Sequence, residues 1–582
     1  MISYLDHADT MTSATTDKYD RQLRLWGANG QRSLSETRVV LVHPTAVGTE
    51  TLKNLVLPGI GSFHIIDEKT TCASAMPSNF FCVVDQTKAD SLSRAAVSCE
   101  QLGELNDEVR GSFEEVPSLI EADYPYLISK QQALASSLLV VAADLPLGPL
   151  IQLARFCYKS NIPFLSVKSY GFVGTLRIAT PKHTIVESKP DNTSPDLRLA
   201  SFLSDKYMFP QLSELVQSTD LSTLDDAAHG HVPCVILLLK GMKEWQHQKG
   251  CSHLPNTLQE KDSFKQHIKG MSRNYNMELN FQEAFRDAYL AYTSRELPYE
   301  VQELADKASV ESIESSFDVM ILALHRFLNA NRNEPPLEGS IPDMTSSTVL
   351  YVKLQQIYKY KADQDIQEMK KYVTQILDEL TTNGNSSTSV LDEDLAVFCK
   401  NVYNLNLYQT RSLDQELHLQ KSDEALQIHL DNECEVVDVK DDLKMACYEP
   451  SDPPEHTPLL WYLAVRACEV FQFKHGNYPG HDARSLALQA DVEEVYNILQ
   501  LTLQNLDLNS ADSELIQQNL VESKHIITQV VSSHNAEMHP VASVMGGVAS
   551  QEAVKLITHQ YVPLHHTFVY NGHASIAAVY KF

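Results

Sequence analysis

In the early part of the chain, short apolar runs alternate with stretches whose apolar residues recur every three or four positions. Val39–Val42 is a β-branched run of the kind a buried parallel strand requires. Thr49–Leu57 sets Leu52, Leu55 and Val56 on one helical face. Pro58-Gly59-Ile60-Gly61 stops that helix, and Phe63–Ile66 is a second strand closing on Asp67. Further strands are expected at Leu138–Ala142, ending at Asp144, and at Ile162–Val167 and Phe172–Ile178. Helices are expected at Lys18–Gly27, Arg94–Leu105 and Leu150–Cys157. Strands alternating with helices predict an α/β fold with a mostly parallel sheet.

The period then changes. Residues 201–519 read as a large, mostly helical insertion. Within it Phe317–Leu328, Val349–Tyr358 and Ile366–Leu380 each line up one apolar face, and Leu459–Phe471 is a helix with Trp461 in the core. Pro335-Pro336 and Thr381–Ser389 are breaks, and Asn432–Glu455, acidic and cut by three prolines, is a loop. The mixed pattern returns at the end. Pro540–His559 is a helix containing Gly546-Gly547, each costing about 1 kcal/mol relative to alanine unless a neighbouring backbone comes close. His566–Tyr570 and Ser575–Tyr580 form a hairpin about Asn571-Gly572. The expected domains are a loose tail at 1–17, a first α/β part at 18–200, the insertion at 201–519, and a return to the α/β domain at 520–582.

Composition narrows the function classes. Hydrophobic residues make up 43% of 582, enough for several cores. No apolar run is long enough to span a membrane, and the Ser/Thr-rich start is not a signal peptide. A net charge of -28 argues against a nucleic-acid partner and suits basic proteins. The 10 cysteines are scattered along a chain with no secretory signal and read as reduced cytosolic or nuclear thiols, and with no C-x-x-C pair no zinc knuckle of that type is readable. Cys234, ahead of an apolar helical run, reads as a buried thiol and not as a transfer cysteine.

The candidate chemistry lies in the first strand–helix–strand unit. A nucleotide-binding unit of this type carries glycines in its first turn and an acid about 20 residues later. Asp67 supplies the acid, but the turn is His43-Pro44-Thr45-Ala46-Val47-Gly48. Pro44 has no N–H, and His43 and Thr45 carry side chains where a phosphate needs bare backbone. Gly48 can serve helix–strand packing alone. The unit reads as a nucleotide-binding fold that binds no nucleotide itself, or as an ordinary α/β domain with an acidic strand end. Arg21 and Arg24, one turn apart, suit phosphate or carboxylate, or simple surface ion pairs.

Four stretches together carry a resemblance: Y-D-R-Q-L-R-L-W-G at Tyr19–Gly27, L-K-N-L-V-L-P-G-I-G at Leu52–Gly61, the strand closing on Asp67, and G-G-V-A-S-Q-E-A-V-K at Gly546–Lys555. The chain resembles the activating enzymes of ubiquitin-like modifiers. Gly339–Met344, Lys353–Gln355 and Arg411-Ser412-Leu413 make it similar to the regulatory halves of the neddylation branch. The resemblance implies a Rossmann-like pseudo-adenylation domain and an obligate heterodimer in which the catalytic partner holds ATP and magnesium. That partner adenylates the modifier, forms the thioester, and passes the modifier to its conjugating enzyme and on to cullins. This chain would bind no cofactor or metal, and Arg21 would act in trans on the partner's ATP. Arg94 stands where the family's lysine would, the expected arginine is missing around Asn79-Phe80-Phe81, and Asp144 falls near the family's magnesium aspartate as a vestige or a capping residue. The resemblance also implies a partner interface at Leu57, Pro58, Gly59, Ile60, Gly61, Ile341, Pro342, Asp343, Met344, Gly546 and Gly547. The rivals are the regulatory half of the sumoylation enzyme, a self-sufficient adenylating enzyme, and a pure adaptor without nucleotide contact.

Overall fold

The alternating early pattern does build a layered α/β unit, but one whose sheet is mixed. The computed structural model describes residues 18–581 apart from 69, 72–77, 84–90, 135–136, 191–193, 203–207, 383–388, 418–435, 439–455, 482–484 and 505–523. The chain divides into a first unit, up to Ile185 and again from Leu407, and a second, Val186–Asn406.

In the first unit the strands are β1 (Thr37–Val42), β2 (Ser62–Glu68), β3 (Arg110–Val116), β4 (Ser137–Ala143), β5 (Phe164–Tyr170), β6 (Val173–Ala179), β7 (His183–Ile185), β8 (Asn406–Tyr408), β9 (Val436–Asp438), β10 (Thr567–Asn571) and β11 (Ile576–Lys581). Nine of them form one sheet in the order β3-β2-β1-β4-β5-β6-β10-β11-β9, and β7 and β8 form a separate ribbon. From β3 to β5 all pairings are parallel, with Val40 opposite His64 on one side and Val140 on the other. Beyond β5 the sheet turns antiparallel through β6, β10 and β11. The sheet is mostly parallel, as expected, with an antiparallel stretch from β5 to β11 and β9 again parallel to β11. Only the short turn at Gly171-Phe172 joins β5 to β6, and so short a link forces a hairpin.

Helices cover both faces. They are α1 (Asp20–Glu36, broken at Gly27, φ +71), α2 (Ala46–Val56), α3 (Arg94–Gly103), α4 (Tyr124–Gln132), α5 (Leu147–Lys159), α6 (Pro458–His475), α7 (Ser485–Gln504), α8 (Lys524–Ser533) and α9 (His539–Thr558). Because side chains alternate along β1, Val39 and Leu41 join the core under α2 and α9, while Val40 and Val42 join the one under α4 and α5. A third core gathers Trp461, Val495 and Ile527 against Val569 and Tyr580 of the antiparallel strands. The insertion expected over 201–519 is thus too long. Helices α6 and α7 belong to the first unit, since periodicity shows that a helix has an apolar face but not which core receives it.

The second unit is helical. Cys234–Lys249, Leu258–Met271 and Leu279–Arg286 close around Trp245, Phe264 and Phe281. Ser316–Ala330 and Asp392–Lys400 pack with a 35-residue rod, Thr348–Thr382. Two helices were expected where the rod stands, but no glycine or proline interrupts Lys359–Asp365. Strand β3 and helix α4 have no counterpart in the hydrophobic pattern, because β3 is an edge strand whose residues are mostly exposed. The expected acidic loop contributes β9 to the far edge of the sheet, and its remainder, like the tail at 1–17, lies outside the described residues. Among the described residues no helix is long and apolar enough to cross a membrane.

The paired glycines of α9 have different surroundings. A Cβ on Gly546 would stand 2.7 Å from the Glu50 Cβ and 2.9 Å from the Thr51 nitrogen of α2, whereas one on Gly547 would meet nothing within 4 Å. Gly546→Ala is expected to destabilise the chain by about 1–3 kcal/mol despite alanine's better helix propensity. Gly547→Ala should gain up to about 1 kcal/mol. Denaturant unfolding of the two variants checks the contrast.

Candidate functional site

In an open α/β sheet, ligands bind at the carboxyl ends of the strands where the order reverses. Here that point lies between β1 and β4, which are adjacent although β2 and β3 come between them in sequence. The residues following these strands are His43 and Asp144, both left-handed, with φ +69 and +48. Non-glycine residues held there mark a constrained turn. His43 donates from Nδ1 to the Ala143 carbonyl at 2.9 Å, and burial, aided by the Arg94 charge, pushes its pKa down to about 3. Its ring is therefore neutral.

Among the described residues, Asp67, Asp144 and Asn79 at the strand ends are already engaged. Asp67, fully buried, takes a two-pronged bond from Arg94, Nε to Oδ2 at 2.8 Å and Nη2 to Oδ1 at 2.7 Å. Asp144 accepts from the Thr45 hydroxyl at 2.8 Å and from the Ser169 N–H at 2.9 Å. Asn79 donates to the Pro44 carbonyl and accepts from the Thr49 hydroxyl, tying the turn to α2. Gly48 lets α2 approach β4, a Cβ there falling 2.7 Å from that of Ala143. Below lies a buried charge cluster: Lys168 and Arg466 both pair with Glu469.

The start of α2 is the decisive place. Helix N-termini leave N–H groups free to hold phosphate. In this chain the N–H groups of Ala46 and Val47 donate to the two carboxylate oxygens of Glu537, at 2.8 and 2.9 Å. The residues present do not fit a nucleotide: its phosphate seat holds a carboxylate, and the acid that would hold its ribose is bonded to an arginine.

A model of the ThiF family matches residues 19–577. The NEDD8-activating enzyme E1 regulatory subunit of Xenopus laevis is 33% identical over 575 residues, covering 97% of this chain and 98% of its own. That of Gallus gallus is 33% identical over 579 residues, with 98% of each chain covered. The NEDD8-activating enzyme E1 regulatory subunit AXR1 of Arabidopsis thaliana is 34% identical over 576 residues, covering 98% and 96%. The chain belongs to the ThiF family, among the NEDD8-activating enzyme regulatory subunits.

The other expected site residues fall in several places. Tyr19 pins the start of α1, donating to Glu108 at 2.8 Å and accepting from Asn106 at 3.0 Å. Arg21, on the first turn, is exposed and makes no hydrogen bond or ion pair among the described residues. Arg24 instead pairs with Asp20 at 2.9 Å. Of the expected interface residues, Pro58, Gly59, Ile60 and Gly546 are buried within this chain. Gly59 (φ +89) sits against Tyr19 and Gly61 against Ser35, so this turn clamps α1 and faces inward. Leu57, Pro342 and Asp343 are exposed, Gly547 is half-buried, and Ile341 and Met344 pack on the core of the second unit. Cys234 is buried, its thiol pushed up to about 12 by burial. Glu537, Lys168 and Glu469 went unseen in the sequence, where each is a lone charge with no motif around it.

Two outcomes follow from this geometry. Arg94→Ala strands the buried Asp67 carboxylate and should cost about 3–5 kcal/mol, whereas the double change Asp67→Leu, Arg94→Met should cost far less. Equilibrium unfolding compares them. The second outcome concerns pH. An unfolded histidine takes up its proton near pH 6.5, and folded His43 does so only near 3. Its contribution is therefore complete above pH 6.5 and lost as pH falls toward 3, reaching about 2 kcal/mol at pH 5. The stability gap between wild type and His43→Gln, measured at pH 7.5 and at pH 5, should change by that amount.

Proposed function

We propose that this chain is the non-catalytic half of a heterodimeric activating enzyme of the neddylation pathway, working in the cytoplasm and nucleus. The catalytic partner holds ATP and magnesium, adenylates the C-terminus of the ubiquitin-like modifier, and takes it as a thioester on its own cysteine. The helical unit of this chain serves as scaffold for the modifier and its conjugating enzyme. The chain itself holds no nucleotide. The single observation that carries the reading is the Glu537 carboxylate on the Ala46 and Val47 N–H groups, in the seat a nucleotide phosphate would need.

Arg21 is the chain's one contribution to the chemistry. A permanent cation with a planar fork of donors stabilises charge building on phosphate oxygens. Its exposure on a helix start that Tyr19 anchors supports this role, as does its lack of any ion pair among the described residues. Arg24, already paired, is the natural control.

ATP–pyrophosphate exchange with the modifier present tests the proposal. Exchange is expected from the mixed subunits but not from this chain alone. Arg21→Ala should cut it at least about tenfold with dimerisation intact, and Arg24→Ala should leave it near wild type. Exchange by this chain alone would overturn the closed cradle, and a fully active Arg21→Ala mixture would make the chain a pure scaffold.

A further inference from the structure

Glu537 reaches its seat from 491 residues away in sequence. The segment that delivers it, between α8 and α9, is held in an unfavourable shape. His534 and Asn535 are consecutive non-glycine residues in the left-handed region, with φ +44 and +53. Surrounding bonds impose that shape. His534 Nδ1 lies 3.1 Å from the Pro479 carbonyl, and the Gly171 N–H donates to the Ala536 carbonyl at 2.8 Å. Just beyond, His539 stacks edge-on against Phe80 at 4.1 Å and pairs with the buried Glu50 of α2 at 3.4 Å.

We infer that Glu537 is a tethered ligand: its carboxylate replaces a nucleotide phosphate at the start of α2 and keeps the first strand–helix–strand unit stable with no nucleotide bound. Two free N–H groups at a buried helix start are costly, and a two-oxygen anion satisfies both. The surroundings select a single negative charge. Burial and the Glu537 charge push the Asp144 carboxyl well above the usual carboxylate range, and Lys168, the cation beside Asp144, is already paired with Glu469. A doubly charged phosphate would meet Asp144 with no free cation among these residues to offset it. The chain outside the adenylation chemistry thereby gains an internal clasp between its return segment and its first turn.

This inference rests on the closed cradle of the proposed function but fails separately from it. ATP binding by the wild-type chain would sink both, whereas an inert Arg21→Ala change leaves this one standing. The test is thermal unfolding of the full chain as wild type, Glu537→Ala and Glu537→Gln, in chloride, acetate or sulfate at matched ionic strength. Glu537→Ala should melt at least about 3 °C lower than wild type in chloride. Acetate should restore at least half of that loss and leave wild type unmoved, and sulfate should restore less. Equal melting of wild type and Glu537→Ala, or an equal response of both to acetate, overturns the inference, and sulfate matching acetate overturns the single-charge preference. Should Glu537→Ala fail to fold, Glu537→Gln carries the test by hydrogen exchange. The Ala46 and Val47 amides should exchange at least tenfold faster than in wild type while those of Leu52 and Leu55 hold, and unchanged exchange at Ala46 and Val47 overturns the inference.

Discussion

A helix that starts in a protein interior must find acceptors for its first N–H groups, and α2 finds them in the carboxylate of Glu537. Much of the first unit depends on that closure. It joins the turn after β1 to the segment leading into α9, and α9 then lies along α2 closely enough that Gly546 has no room for a side chain. The same two helices cover Val39 and Leu41 of the central strand. One charge-assisted contact thus registers the N-terminal and C-terminal parts of the domain on each other, at a helix start of the kind that can hold a phosphate.

The rest of the cradle obeys the same electrostatic logic. Acids that remain at the strand ends are buried, and a buried carboxylate must be bonded or neutralised. Arg94 does this for Asp67, and Thr45 and the Ser169 N–H do it for Asp144. Lys168, Arg466 and Glu469 satisfy one another beneath. Asp67 and Asp144 each have an internal partner, and removing Arg94 leaves a buried charge unpaired.

The architecture leaves Arg21 outside this network. Tyr19 fastens the helix start and the Pro58–Gly61 turn supports it from below, so the exposed cation stands on a rigid base. The proposed role of Arg21 in trans draws on this placement, since a group that acts on another molecule is best held on a supported element. The neighbouring Arg24, of the same type and one turn on, is paired within its own helix.

Much of this was legible in the residues. The β-branched runs specify β1, β2, β4, β5 and β6, and the His43–Gly48 turn, with Gly48 its single glycine, already argues against a phosphate loop, because both depend on local chemistry alone. The hairpin at Asn571-Gly572 and the helix carrying Gly546-Gly547 are local signals too. What only the tertiary structure decided is what meets what across long separations. It assigns α6 and α7 to the sheet and not to the insertion, turns the Pro58–Gly61 and Gly546 positions inward, and brings Glu537 to Ala46 and Val47. A hydrophobic period says that a face is buried without naming its neighbour, and a lone glutamate carries no sign of the helix it will cap. Those pairings exist only once the sheet has set the distances.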